Sequence, residues 1–361
     1  MTIQQLLKTA PVTTLLLASF IGLFVMQLVT GVDANNPSTE ALVKWGANAL
    51  PLTMMDDPWR LASSAFLHIG LMHLLFNGFA MYFFGQIAEP LFGSAKFLAL
   101  FLLAAIGGNL LNNYVTWQSI LDGTGQPGLS AGASGGIMGI GAALLIAALF
   151  KISVNGMVLN LKSLIFIMGI NLVYGFAVPG IDNAGHIGGA ITGLVIALAF
   201  AIGYRQRLAV AIQNAAIQQQ RTLNAYQTNY SYSAHDNPSY NSQYSGQYRE
   251  QHDNQSPYNA TSIEQSPHID ADSTEQDAAF ANNETNTADI YTNNSADSIT
   301  ANNSPLSNEA VHNSIKPEAL KKPSIIWQLL PWFAMLLISI GFVWWWQDIH
   351  QQLLQVLKAI E

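Results

Sequence analysis

Seven apolar runs with few charges divide this chain, at about 12–31, 61–85, 97–117, 132–150, 158–179, 186–203 and 325–346. Each approaches or exceeds the roughly 20 residues that a helix needs to cross a bilayer core. A bilayer offers no water to unpaired backbone groups, so runs of this kind fold as helices that satisfy their own hydrogen bonds. Only 10% of the residues are charged, against about a quarter in soluble domains. The fold class expected is therefore an all-α integral membrane protein. Before the first run stands only Lys8 as a basic residue, and no small-residue cleavage site follows it, so that run reads as a retained span. With no cysteine in the chain, disulfides, thiolate metal sites and cysteine nucleophiles are excluded.

Between the sixth and seventh runs, residues 206–323 are rich in Asn, Gln, Ser and Tyr, and their apolar residues are too few and aperiodic to build a core. Disorder is the expectation for such a composition. Three parts follow: a six-span core over 1–205, a polar linker over 206–323, and a C-terminal span with a short tail over 324–361. The basic residues set the orientation. With the N-terminus in the cytoplasm, Lys8, Lys96, Lys151, Lys162, Arg205, Arg207, Arg221, Arg249, Lys316, Lys321 and Lys322 lie inside. Only Lys44, Arg60 and Lys358 lie outside. Loops 32–60, 118–131 and 180–185 are then external, and the linker is cytoplasmic.

Polar side chains inside a span are costly, and each is a candidate for function. The second run carries His68, His73 and Asn77 in FLHIGLMHLLFNGF; Ser134 opens the fourth, in AGASGGIMGIG; His186 opens the sixth, in NAGHIGGAITG. At about 100° per residue, His73 and Asn77 share a helix face, and His68 sits about 140° from His73 unless the helix starts after it. Ser134 precedes the first inside charge of its run, Lys151, by roughly 25 Å of helix, and His186 precedes Arg205 by roughly 28 Å. The two reactive groups thus reach nearly one depth. Asn77 is only about 18 Å from Glu89 on the same measure, which demands a tilt or a helix that stops short of Glu89.

Glycine every fourth residue supplies close approach. Gly185, Gly189 and Gly193 run beside His186, while Gly132/Gly136 and Gly135/Gly139 flank Ser134. Small-xxx-small faces let helix backbones pack tightly, and many membrane proteins use them without catalysis. Here a serine and a histidine are embedded in the two faces. Peptide hydrolysis by a serine needs a base for its proton and donors for the oxyanion. His186 can be the base; Asn77, His73 and the Ser134 backbone N–H can be the donors. Asp182 is one turn before His186 but next to Pro179-Gly180, so the reading is a Ser–His dyad. The polar segment GTGQPGLSAG (123–132) suits a re-entrant loop lining a wet cavity.

HLLFN on the second run, GASG at the fourth and AGHIGGAITG on the sixth resemble the signature elements of the rhomboid family of intramembrane serine proteases. Trp59-Arg60 resembles that family's Trp-Arg motif in the first external loop. The resemblance covers residues 1–205. It implies a six-helix rhomboid-like bundle plus one C-terminal helix (6+1), with Ser134 as nucleophile and His186 as base. It further implies that His73 and Asn77 line the oxyanion hole and that Gly189 and Gly193 pack the sixth helix on the fourth. Gly132 and Gly135 belong to the matching face on the fourth. The implied substrates are single-span proteins of the same lipid bilayer, with no cofactor, no metal and no nucleic acid. The oligomeric state is left open. A multi-pass protein of a bacterial inner membrane is the expected setting, with its C-terminus external.

Two other functions compete with the protease. A transporter would show inverted repeats or paired charges within spans, and neither is visible. A catalytically silent rhomboid-like binding or quality-control protein would suit the long linker. A metalloprotease is disfavoured by the absence of H-E-x-x-H and of acidic residues beside the span histidines. Trp59 and Arg60 are read as structural, Trp344–Trp346 as an aromatic belt at the outer interface, and Asn112, Asn113 and Asn171 as helix or loop contacts. The seventh run has only Ser339 and Gly341 as small positions. It therefore lacks an obvious close-packing face, and a chain ending near Arg221 is expected to keep its fold and activity.

Overall fold

The structure, a computed structural model, describes residues 3–126, 128–152, 159–177, 181–236 and 319–360. Two compact units divide the chain, Met1–Ala215 with Lys321–Glu361, and Ala216–Leu320. Every contact discussed below lies in the first.

Helices dominate. In chain order they are α1 (Ile3–Thr9), α2 (Pro11–Val29), α3 (Thr39–Trp45), α4 (Leu50–Met54), α5 (Arg60–Ser63), α6 (Leu71–Phe92), α7 (Ser94–Leu121), α8 (Ser134–Leu149), α9 (Leu161–Ala177), α10 (Asn183–Asp236) and α11 (Ile326–Ile360). Strands β1 (Asn48–Ala49) and β2 (Leu129–Ser130) pair antiparallel, with Asn48 opposite Ser130 and Ala49 opposite Leu129. Among the described residues five helices, α2, α6, α7, α10 and α11, are long and apolar enough to cross a membrane, and α8 and α9 are shorter apolar helices. The chain is a multi-pass membrane protein. Its main core joins Phe20, Met81, Phe97, Phe101, Ile140, Leu144 and Ile196 from five helices.

The segment between α2 and α6 is locked by polar contacts rather than by burial alone. Ser38 caps α3 by accepting from the Ala41 N–H, and Gly46 ends it at φ +100°. A side chain at Gly46 would collide with the Trp59 ring, 2.7 Å away, so both the left-handed turn and the contact demand glycine. The buried Arg60 donates to the carbonyls of Val43 (2.6 Å) and Ala47 (3.2 Å) and is paired with Asp57 at 3.0 Å. Asn113 of α7 and Asn48 of β1 exchange amide hydrogen bonds at 2.9 and 3.1 Å, while Asn109 donates to the Leu61 carbonyl and the Ser64 hydroxyl. Both amide bonds are made where no water competes, which is how a polar side chain on a buried helix is tolerated.

Four expectations are corrected. The second run is not one helix from 61: a turn of 3-10 helix (Ser64–Phe66) and Gly70 at φ +109° intervene, and α6 starts at Leu71, so His68 precedes it. Glu89 is not a free charge at the end of its span. It is buried inside α6, and its carboxylate accepts from the Val12 and Thr13 amides and the Thr13 and Ser94 hydroxyls at 2.6–2.9 Å. It thereby satisfies the exposed N–H groups at the start of α2. The third correction concerns the linker. α10 continues to Asp236, because residues 206–236 hold many Ala, Gln, Leu and Ile residues and no Gly or Pro, a composition that favours helix even where it cannot build a core. The remainder of the expected linker, 237–318, lies outside the described residues.

The seventh run is the fourth. α11 packs on α7 and α4 through large residues: Phe342, Trp345, Trp346, Ile349 and Leu353 join Leu50, Met54, Leu61, Leu110 and Trp117. The small positions that receive them are on the other helices. A side chain at Gly107 of α7 would come within 2.7 Å of Phe342, and one at Gly203 of α10 within 2.5 Å of the Trp327 carbonyl. Of the three tryptophans read as a belt, Trp344 is exposed, whereas Trp345 lies against Tyr114 and Trp346 donates to the Thr53 carbonyl.

Candidate active site

Ser134 is the first residue of α8, and His186 lies in the first turn of α10. Their neighbours touch directly. A Cβ on Gly135 would sit 3.3 Å from the Gly185 carbonyl oxygen, and one on Gly189 would fall on the Gly135 carbonyl oxygen, 2.7 Å from its carbon. One turn on, a Cβ on Gly193 would strike the Gly139 carbonyl, and one on Gly139 the Gly189 carbonyl at 2.9 Å. Backbone therefore meets backbone along five glycines, and Ser134 and His186 flank the first contact. Both are partly exposed, as a reacting pair must be. The Nδ1 of His186 is buried without a hydrogen-bond partner among the described residues.

Gly132 does not join that face. It precedes α8 at φ +139°, and a Cβ there would lie 2.5 Å from Cε1 and 2.8 Å from Nε2 of His73. Its N–H donates to the Ser64 carbonyl at 2.9 Å. His73 accepts the Ile69 N–H on Nδ1 at 3.3 Å, which leaves the proton of the neutral ring on Nε2. The donor edge of His73 thus faces the backbone two residues before Ser134. Asn77 is buried and gives one amide hydrogen to the His73 carbonyl at 3.1 Å; its second hydrogen is available to a ligand. His68, which sequence reasoning set apart, packs its ring 5.4 Å from that of His73 and 5.2 Å from Phe20. The irregular backbone ahead of α6 could not be read from residue spacing.

Sequence reasoning missed a pair. The Asp182 carboxylate accepts the Gly185 N–H and the Ser130 hydroxyl, each at 2.7 Å. The first bond caps the start of α10; the second ties that helix to β2, four residues before Ser134. Both oxygens are engaged there, so the Asp182 carboxylate works on the backbone and on Ser130. An Asp three residues ahead of Gly185 at a helix start is the familiar capping signal, and it is visible in the sequence once the helix start is placed.

A Rhomboid domain model matches residues 56–202. Rhomboid protease GluP of Bacillus subtilis is 38% identical over 184 residues, covering 51% of this chain and 34% of that protein. Rhomboid protease AarA of Providencia stuartii is 35% identical over 175 residues, 44% of this chain and 62% of that one. RHOMBOID-like protein 1 of Arabidopsis thaliana is 32% identical over 189 residues, 52% and 46% of the two chains. The matched part thus spans between about a third and three-fifths of these relatives.

Proposed function

The chain belongs to the rhomboid family through residues 56–202, and from that premise we propose that it is an intramembrane serine endopeptidase with Ser134 as nucleophile and His186 as general base. The observation that supports the reading is the glycine contact between α8 and α10, in which Gly135 and Gly185 are the chain neighbours of Ser134 and His186. Family and composition alone would also fit a silent scaffold; a serine and a histidine flanking a backbone contact between two helices do not need to be there for packing.

The chemistry follows from the groups. Ser134 Oγ attacks the scissile carbonyl while His186 takes its proton on Nε2, since Nδ1 is buried. The negative oxygen of the tetrahedral intermediate then faces donors held in place beforehand: the free Asn77 amide hydrogen, the His73 Nε2–H and the Ser134 backbone N–H at the start of α8. Collapse breaks the C–N bond, and His186 returns its proton to the leaving amine. A water, deprotonated by His186, attacks the acyl-Ser134 ester and frees the carboxyl product. Among the described residues no carboxylate is hydrogen-bonded to the His186 ring, which supports reading the catalytic unit as a dyad.

The same reading assigns substrates and topology. α8 has 16 residues, fewer than the roughly 20 of a full span, so Ser134 lies below the membrane surface at the end of segment 123–133, where water reaches it. The substrates are then single-span membrane proteins cut in the outer part of their helix. α2, α6, α7, α8, α9 and α10 are the six spans and α11 the seventh. The N-terminus and the segment after α10 are cytoplasmic, the end of α11 is external, and the bacterial inner membrane is the setting.

A fluorophosphonate probe tests the chemistry. Labelling of the native chain, lost in Ser134→Ala and in His186→Ala, is expected together with cleavage of a transmembrane substrate. A folded native chain that takes no label would leave a silent rhomboid-like binding protein. Reporters fused near residue 270 and after Glu361 are expected on opposite sides of the membrane; the same side for both would remove α11 from the bilayer.

A further inference from the structure

Thirty-five residues make α11 about 52 Å long, well beyond the about 30 Å of a bilayer core. Its last turns have another use. The Trp346 indole N–H donates to the Thr53 carbonyl at 3.0 Å, and His350 Nδ1 contacts the Met54 carbonyl at 2.7 Å. A carbonyl only accepts, so His350 is the donor. The two rings stack at 5.1 Å, and Gln352 accepts from the Trp117 indole at 2.9 Å. The Trp346 and His350 bonds are directed contacts to the last turn of the five-residue α4, which cannot hold its own end carbonyls.

α4 leads on to the active site. While the Thr53 carbonyl is held by α11, its hydroxyl accepts the Ala49 N–H at 3.1 Å. Ala49 and Asn48 form β1, which pairs with Leu129 and Ser130 of β2. Ser130 in turn holds Asp182 at the start of α10, and Ser134 follows four residues later. From Trp346 and His350 to the start of α10 the links are hydrogen bonds and a paired backbone, and from Ser130 to Ser134 the link is four residues of chain.

We propose that α11 is a strap on the active site: Trp346 and His350 are positioning residues that hold α4, and through the β1–β2 pair they keep Ser134 and the start of α10 in register. The proposal rests on the protease reading for its catalytic consequence. Its mechanical part stands on the contacts alone.

Hydrogen–deuterium exchange on the full-length protein separates the two. In a Trp346→Phe/His350→Ala double variant, amides of 48–55 and of 128–134 should exchange about five- to tenfold faster, the size expected from losing one or two hydrogen bonds. Peptides of α7 and of α8 beyond its first turn should stay protected, since a merely structural loss would raise exchange throughout. Fluorophosphonate labelling of Ser134 should slow by a similar factor. His350→Asn, which places an amide donor where Nδ1 stood, should restore all three readouts relative to His350→Ala. Faster exchange confined to 48–55 with unchanged labelling would end the strap at α4 and overturn the proposal. So would equal behaviour of His350→Asn and His350→Ala. If the native chain takes no label, the protease reading fails alone, and exchange at 128–134 still decides the strap.

Discussion

Gly189 lies against the backbone carbonyl of Gly135, so close that a Cβ there would overlap the oxygen. The obstacle is backbone at the second residue of α8, which cannot rotate aside as a side chain would. Gly189→Val is therefore expected to push α10 off α8 and part Ser134 from His186. Fluorophosphonate labelling should fall by at least about 100-fold, because a displacement of about 1 Å at reacting groups has effects of that size. The thermal midpoint should fall with it. A Gly189→Val chain that labels at the native rate would show that the helices do not need this contact for the chemistry.

Asn77 makes one bond to the His73 carbonyl and keeps one amide hydrogen free. If that hydrogen meets the oxyanion, Asn77→Ala lowers kcat by about 10²–10³-fold, the usual loss for one oxyanion donor. The midpoint should drop little, because the internal bond is one neutral hydrogen bond worth about 1 kcal/mol. Native kcat in the folded variant would remove Asn77 from the site.

How much of this was legible depends on the kind of contact. The helical membrane fold and the Gly135–Gly189 face can be read because long apolar runs leave the backbone no other partner, and because glycine every fourth residue marks one face of a helix. Gly132 shared that spacing yet fell outside α8, since φ +139° is a property of the turn and leaves no periodic trace. Glu89 was read as a surface charge because nothing in its own helix announces the Thr13 and Ser94 hydroxyls that embrace it. The α11 contact is hidden for a similar reason: α11 itself carries few small residues, and the glycines that admit its large side chains, Gly107 and Gly203, lie on other helices.

Asp182 and Ser130 offer a test of the bridge between β2 and α10. Loss of the cap in Asp182→Ala should cost about 1 kcal/mol of stability and slow labelling of Ser134, by freeing both the helix start and the strand. Ser130→Ala removes only the link to β2. The double variant should be no slower than Asp182→Ala alone, since one hydrogen bond cannot be lost twice. Additive losses in a double-mutant cycle would mean that the two residues act on labelling separately.

A chain ending near Arg221 decides whether α11 belongs to the working enzyme. By the sequence alone it should be active, because the reacting groups all precede residue 205. The packing says otherwise. Without α11, Leu50, Met54, Leu61, Leu110 and Trp117 lose the cover of Ile349 and Leu353, and the carbonyls of Thr53 and Met54 lose their donors. α2, α6, α7, α8, α9 and α10 still share the main core, to which α11 gives only Met335 among its buried members, so the truncated chain should remain inserted and helical. Its Ser134 labelling is expected to fall by about tenfold or more, with α4 released and the β1–β2 pair loosened. Substrate cleavage should fall in the same proportion, because the defect is in the alignment of Ser134 and not in recognition. A truncated chain that labels and cleaves at the native rate would return α11 to the role of a lipid-facing anchor and leave its contacts to α4 without consequence for catalysis.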